Sequence, residues 1–155
     1  MGSKPPSRVV ADNRRAFHEY HILETVTAGI ELAGTEVKSL RAGQASLMEA
    51  YARIENGEIW IHRMHIAPYS HGNRYNLDPM RPRRLLVHRR EILRFWGKTR
   101  EQGLTLIPLK VFWSGNWAKV EIGLAKGKKL HDKREAIAAR DVRRDVERTL
   151  RERSR

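Results

Sequence analysis

The sequence predicts a mainly β chain: a small OB-like antiparallel barrel of about six strands with two to three peripheral helices and a basic C-terminal tail. Three observations carry that prediction. YARIENGEIWIH (Tyr51–His62) and LTLIPLKVFW with NWAKVEIGLA (Leu104–Ala125) each place a tight-turn signal between runs in which apolar and polar residues alternate. One segment, HRREILRFWGKTREQG (His88–Gly103), has clear helical periodicity. Short strands leave their backbone edges unpaired unless the sheet closes, and a barrel closes it.

In chain order, residues 1–11 are expected to form a flexible N-terminal arm, residues 12–130 the barrel and residues 131–155 the tail. The start MGSKPPSRVVADNRR has no apolar core of the signal-peptide kind. His18–Val26 and Ile30–Leu40 alternate and are expected as strands, with a turn at Gly29 and a bend or bulge at Gly34. Gln44–Ala50 lacks alternation and is expected to be a short helix. Asn56-Gly57 signals a type I′ hairpin, because both central residues of that turn need positive φ. Two-residue closure pairs Ile54 with Ile59 and Ala52 with Ile61 on a core face, leaving Tyr51, Arg53, Trp60 and His62 opposite. That second face reads either as a small apolar cluster under Trp60 or as a stacking and cationic platform for RNA.

Residues 68–84 carry three prolines and are expected to form a long loop. The helix that follows should bury Ile92, Leu93, Phe95 and Trp96 and end at Gly103. The second hairpin turns around Ser114-Gly115 and points Ala118, Val120, Ile122 and Leu124 inward, with Lys119 and Glu121 outward.

Charge narrows the function. The 155 residues carry a formal net charge of +13 and have no cysteine, which excludes disulfides and Cys-based zinc sites. Residues 126–155 alone hold 12 Lys/Arg against 6 Asp/Glu. A basic surface of this strength, interleaved with aromatics, points to a polyanionic partner, foremost RNA. The apolar runs are too short to span a bilayer, so no membrane partner is expected.

Catalysis finds little support. No nucleophile elbow, P-loop or dinucleotide fingerprint is present. His18 and His21 have i,i+3 spacing in a segment read as strand, where they point to opposite faces, so no metal site is assigned. His131-Asp132 are adjacent and do not converge on one reacting atom. No cofactor is expected. From Asp132 onward, Ala138, Val142, Val146 and Leu150 form one narrow apolar stripe flanked by i,i+3 and i,i+4 ion pairs. An isolated helix of that length is marginal in water, so the tail reads as a segment that orders against a polyanion.

NRRAFHEY (Asn13–Tyr20), GTEVKSLRAGQA (Gly34–Ala45), DPMRPRRLL (Asp78–Leu86), LTLIPLKVFW (Leu104–Trp113) and KVEIGLAKGKKLHDKRE (Lys119–Glu135) occur in the order and spacing of one family. Across residues 12–148 the chain resembles small protein B, the bacterial tmRNA-binding family of trans-translation. The resemblance implies an OB-like barrel that grips the tRNA-like domain of tmRNA, and a tail that is disordered when free and helical in the empty mRNA channel of a stalled ribosome. It further implies a cytoplasmic, non-enzymatic protein. Its partners would be tmRNA and the 70S ribosome, especially small-subunit rRNA. The elongation factor that carries aminoacyl-tRNA and alanyl-tRNA synthetase would be met indirectly, through tmRNA.

Carried over by position, the resemblance assigns tmRNA contacts to Asn13, Arg14, Glu36, Lys38, Arg41, Leu86, His88, Lys119 and Lys126. It assigns decoding-centre and mRNA-channel contacts to Gly127, Lys128, Lys129, His131, Asp132, Lys133, Arg134, Arg140, Arg143 and Arg144. Lys38, Arg41, Lys119 and Lys126 suit phosphates. Asn13 and His88 suit an unpaired base or a 2′-OH. Glu36 is expected to orient a neighbouring lysine or accept from a base amine. The chain departs from the family pattern at Thr27, His88, Val142 and Thr149-Leu150. Without the resemblance, a general structured-RNA-binding or ribosome-associated OB-fold protein fits the same composition.

Overall fold

The computed structural model describes residues 7–69, 77–101, 103–128, 140, 143, 144 and 146–148. Among these, nine strands and three helices follow in the order β1 (Ser7–Asp12), α1 (Arg14–Glu19), β2 (Tyr20–Ile30), α2 (Gly34–Arg41), β3 (Ala45–Ser46), β4 (Tyr51–Glu55), β5 (Glu58–His62), β6 (His65–Ile66), β7 (Arg83–Leu86), α3 (Arg89–Glu101), β8 (Thr105–Ser114) and β9 (Trp117–Gly127). All pairings are antiparallel, and the main sheet runs β1-β8-β4-β5-β7-β2-β9 with a further β8–β9 pairing. That last pairing closes β8-β4-β5-β7-β2-β9 into a six-stranded ring, with β1 added on the edge of β8. The expected OB-like barrel is therefore the observed one.

The first hairpin folds as its turn chemistry dictates. Asn56 has φ 51° and Gly57 φ 78°, and the predicted pairs Ile54–Ile59 and Ala52–Ile61 form. Ala52, Ile59 and Ile61 are buried, while Ile54 is only partly so. In the second hairpin Ser114 pairs with Trp117, so the turn sits at Gly115-Asn116, one residue beyond the expected centre. Val120, Ile122 and Leu124 are buried, and Ala118 packs on the same core.

Several expectations are corrected. Residues 7–11 of the expected arm belong to a strand, because β1 pairs with β8 from Ser7–Ser114 to Asp12–Lys110. The segment Ile30–Leu40 is not a strand: the chain leaves β2 at Ile30 and forms α2 from Gly34. Val37 and Leu40 sit three residues apart on the packed side of that helix, and an i,i+3 pair is indistinguishable from irregular alternation in so short a window. Gly29 lies inside β2 and Gly34 opens α2, so neither marks a turn. The expected helix at 44–50 is instead strand β3, paired with β6, and a turn in which Met48 N–H donates to Ser46 Oγ at 3.2 Å. His18 lies in α1 rather than in a strand. In α3, Ile92 and Phe95 are buried, but Leu93 and Trp96 are exposed.

A second, smaller core of Ala16, Ile107, Leu109 and Ala125 lies where α1 covers the outer face of β8 and β9. Gly123 suits this close packing, since a Cβ at this position would sit 3.1 Å from both Ile22 Cγ2 and Leu109 Cδ1 and push them aside. The far ends of β2 and β9 are thus closed over by α1, and the near ends stay open to solvent.

Candidate nucleic-acid interface

Strand register sets the open part of the site. Leu86 of β7 pairs with Gly29 of β2, Gly29 with Lys119 of β9, Lys119 with Phe112 of β8, and Phe112 with Val9 of β1. Directly opposed residues project to the same side of a sheet, so these five form one row across the outer face. Its ends are exposed, Leu86 by 49% and Val9 by 51%. A Cβ on Gly29 would lie 3.3 Å from Leu86 Cβ, so glycine here lets Leu86 lean across the row. The next row is polar: Thr27 pairs with Glu121, Glu121 with Lys110, and Lys110 with Asp12. Lys110 Nζ lies 3.5 Å from Glu121 and 5.3 Å from the Phe112 ring centroid. Lys119 therefore stands in a partly apolar row beside a row of mixed charge.

Helix α2 supplies the second group of cations. Lys38 lies 5.3 Å from the Tyr69 ring centroid, and the Arg41 guanidinium 4.5 Å from that of Trp113. Both side chains are exposed, and Arg8 anchors the helix end by donating to Arg41 O at 2.5 Å.

Glu36, on the same helix, is not a surface group. It is 5% exposed, and its carboxylate is enclosed by protein donors. Oε2 accepts from Arg83 Nε at 2.6 Å and Arg81 Nε at 3.1 Å, and Oε1 accepts from Arg81 Nη2 and from Ala33 N–H at 3.0 Å. Arg83 is fully buried and also donates to Met64 O at 2.6 Å and Pro79 O at 3.1 Å. Burial alone would raise the Glu36 pKa, but the Arg81 hydrogen bond, the Ala33 N–H and Arg83 overcome it and hold the carboxyl below its ordinary value. Burial lowers the Arg83 pKa against the pull of Glu36. The cations that Glu36 orients are two arginines rather than the expected lysine, and its bond to Ala33 N–H fixes the N-terminus of the helix that carries Lys38 and Arg41.

The remaining assigned residues gather elsewhere. Lys126 pairs with His21 and Gly127 with Tyr20, at the opposite end of the β2–β9 ladder from Lys119. Seven residues of strand separate Lys119 from Lys126, roughly 23 Å, and an odd separation puts them on opposite faces. Lys128 N–H donates to Glu19 O at 2.9 Å and its Nζ to Phe17 O at 3.1 Å, fastening the root of the tail to α1. Asn13 N–H donates to Leu109 O at 2.8 Å and Asn13 Nδ2 to Pro108 O at 3.1 Å, so Asn13 fixes the start of α1, where Arg14 is exposed. His88 is exposed just beyond β7. The nine residues assigned to tmRNA thus fall into three groups: Leu86, His88 and Lys119 at the open sheet face, Glu36, Lys38 and Arg41 on α2, whose Arg41 lies over the inward-facing Trp113, and Asn13, Arg14 and Lys126 at α1 and the tail root.

Lys129, His131, Asp132, Lys133 and Arg134 lie outside the described residues, as do Val142 and Thr149-Leu150. Arg140, Arg143 and Arg144 have helical backbone and are exposed. Among the described residues no group of three or more His, Asp or Glu is placed to hold a metal ion, and no helix is long and apolar enough to cross a membrane.

Sequence reasoning missed Phe112, Val9 and Lys110, which register alone places beside Lys119, and it missed the Glu36–Arg81–Arg83 cluster. The run RPRR (Arg81–Arg84) was the one available signal for that cluster, because a buried carboxylate needs cationic partners.

Comparison with known proteins decides the family. A family model described as "SmpB protein" matches residues 10–152. The chain belongs to the SmpB family. It is 60% identical over 146 residues to the SsrA-binding protein of Carboxydothermus hydrogenoformans, covering 94% of this chain and 98% of that one. It is 63% identical over 147 residues to the SsrA-binding protein of Moorella thermoacetica, covering 94% and 95%. A solved structure described as "tmRNA-SmpB: a journey to the center of the bacterial ribosome" matches with a TM-score of 0.65 at 50% identity, covering 81% of this chain and 92% of that one. The SmpB fold and the barrel built here are the same architecture.

Proposed function

We propose that this protein binds the tRNA-like domain of tmRNA and brings it to ribosomes stalled on truncated mRNA, acting in trans-translation as an RNA-binding protein without catalysis. The observation that carries the reading is the outward row Leu86–Gly29–Lys119–Phe112–Val9, with the exposed cations Lys38 and Arg41 on α2 as a second group. Apolar and aromatic groups accept unpaired bases, while Lys119, Lys38 and Arg41 neutralise phosphates. Family membership supports tmRNA as the RNA.

Gly127 and Lys128, at the tail root, serve the ribosome in this reading, and Asn13, Arg14 and Lys126 remain contacts of tmRNA. Gly127 and Lys128 launch the basic tail from the barrel end opposite Lys119. Lys129, His131, Asp132, Lys133 and Arg134 would meet the decoding centre, and Arg140, Arg143 and Arg144 would line the empty mRNA channel. The aminoacyl-tRNA-carrying elongation factor and alanyl-tRNA synthetase are reached through tmRNA. In this reading the protein works in the cytoplasm, alongside both RNA partners.

Competition binding at near-physiological salt tests the reading. Labelled tRNA-like domain is challenged with alanine tRNA and with an unrelated structured RNA. Binding that resists both is the expected result. Ready displacement by either would show that charge alone holds the RNA and that the protein is a general binder.

A further inference from the structure

A groove on the far side of α3 has no part in the site described above. It lies between α3 and the β4–β5 hairpin, has a volume of about 600 Å3, and is floored by Ile54, Val87, Ile92, Leu93 and Trp96. Clefts that hold a ligand span roughly 300–1,000 Å3. A second compartment of about 280 Å3 continues from it past the same Ile54 and Trp96 towards Arg53 and Arg100. β4 pairs with β8 only at Ala52–Leu106, and the second compartment opens beside that single pair, lined by Thr105 and Leu106 of β8 and by Thr99 and Arg100 of α3. Leu93 is 57% and Trp96 41% exposed along it. An apolar helix face with its tryptophan in solvent has no folding reason to remain uncovered.

The charge around the groove states what covers it. Arg89 lines one end and Arg53 and Arg100 the other. The Arg100 guanidinium stacks on the Trp96 ring, 5.2 Å from its centroid. Glu58, the acid in the lining, lies 3.8 Å from Arg84, and Glu55 lies 3.8 Å from Arg53 Nε and meets His62 at 3.0 Å, so Arg89 and Arg100 carry most of the positive charge. Three arginines around an exposed indole suit a polyanion whose units are planar. Bases stack on tryptophan and on guanidinium planes, while arginine forks hold phosphates. The groove is also continuous in chain with the RNA face: Val87 and Arg89 line it, and Leu86 and His88, which alternate with them, belong to the open site.

We propose that this groove is a second RNA-binding site, which takes an unpaired nucleotide against Trp96 and its neighbouring phosphates against Arg53, Arg89 and Arg100. It is separate from the Lys119 row and filled independently of it. A chain that holds one RNA on its sheet face gains by this site a second grip on single-stranded RNA.

The test uses the full chain and a fluorescein-labelled short oligoadenylate, titrated onto free protein and onto protein saturated with the tRNA-like domain of tmRNA. The expected result is binding in both cases. Trp96→Ala weakens it about tenfold, in keeping with one lost base stack, and Trp96→Phe restores most of it. Arg89→Ala and Arg100→Ala each lower affinity and flatten its salt dependence, while the tRNA-like domain is held as by the wild type. Loss of oligoadenylate binding once the tRNA-like domain is bound would overturn the proposal, since one site would then serve both RNAs. So would affinity unchanged by Trp96→Ala and by both arginine variants. Trp96-dependent binding of an acidic, leucine-rich peptide in place of oligoadenylate would make the groove a protein-docking site and overturn it as well. If Trp96→Ala fails to fold, Trp96→Phe and the arginine variants decide. Failure of the wild type to hold the tRNA-like domain would count against the function proposed above, and titration of the free protein would still decide the groove.

Discussion

Removing the Arg83 guanidinium is the sharpest test of how this fold holds helix α2 in place. Arg83→Met keeps the length and apolar stem of the side chain but deletes the donors that reach Glu36 at 2.6 Å, Met64 O at 2.6 Å and Pro79 O at 3.1 Å. Glu36 stays buried with Arg81 and the Ala33 N–H as its remaining partners, and the Met64 and Pro79 carbonyls each lose a donor, Pro79 O keeping the Ile66 N–H. Breaking a buried ion pair by deleting one partner costs about 3–5 kcal/mol, and the surviving Arg81 contact puts this case near the lower end. For a chain of this size about 3 kcal/mol lowers Tm by about 6–12 °C. Urea and thermal unfolding followed by circular dichroism measure it, with Glu36→Gln and the double variant completing a cycle whose coupling energy should exceed about 1 kcal/mol. The pH dependence gives a second check. Because the folded Glu36 carboxyl lies below its ordinary value, its contribution is present above the ordinary carboxylate range and is lost as pH falls through the depressed folded value. Wild-type stability should therefore drop on that acid limb, and Glu36→Gln should flatten it. An Arg83→Met protein within about 0.5 kcal/mol of wild type, with additive single variants, would refute the reasoning.

Other outcomes follow from the same geometry. Lys119→Ala and Lys38→Ala should each weaken tRNA-like-domain binding and reduce the log–log salt slope by about one, read by titration at several salt concentrations; an unchanged slope would mean neither touches phosphate. Phe112→Ala should weaken the same RNA by about tenfold with little change in salt slope, because a stack rather than a charge is lost. Gly123→Ala should cost about 1–3 kcal/mol in urea unfolding, since its Cβ would lie 3.1 Å from Ile22 and Leu109, both packed in the smaller core. Truncation before Asp132 should leave tmRNA affinity nearly intact while peptide tagging on stalled ribosomes is abolished; a large fall in affinity would contradict the division between sheet face and tail.

The sequence by itself determined whatever is encoded locally or in bulk. Asn56-Gly57 specifies a turn with positive φ at both residues, and the pairs Ile54–Ile59 and Ala52–Ile61 follow from it. Period-two alternation named the buried face of β9, net charge named the kind of partner, and five spaced motifs named the family. Only the tertiary structure decided the rest. Three or four residues of mixed pattern, as at Val37–Leu40, suit a helix or a strand equally, and α2 forms because Glu36 closes its first turn onto Ala33 and anchors it to Arg81 and Arg83, 45 and 47 residues away. Leu93 and Trp96 share the apolar character of Ile92 and Phe95, yet they line an open groove between α3 and the β4–β5 hairpin and stay exposed. Phe112 became a neighbour of Lys119 and Leu86 only through the register of five strands. Pairing across a sheet depends on the ends of distant segments meeting, and no local window of the chain contains that information.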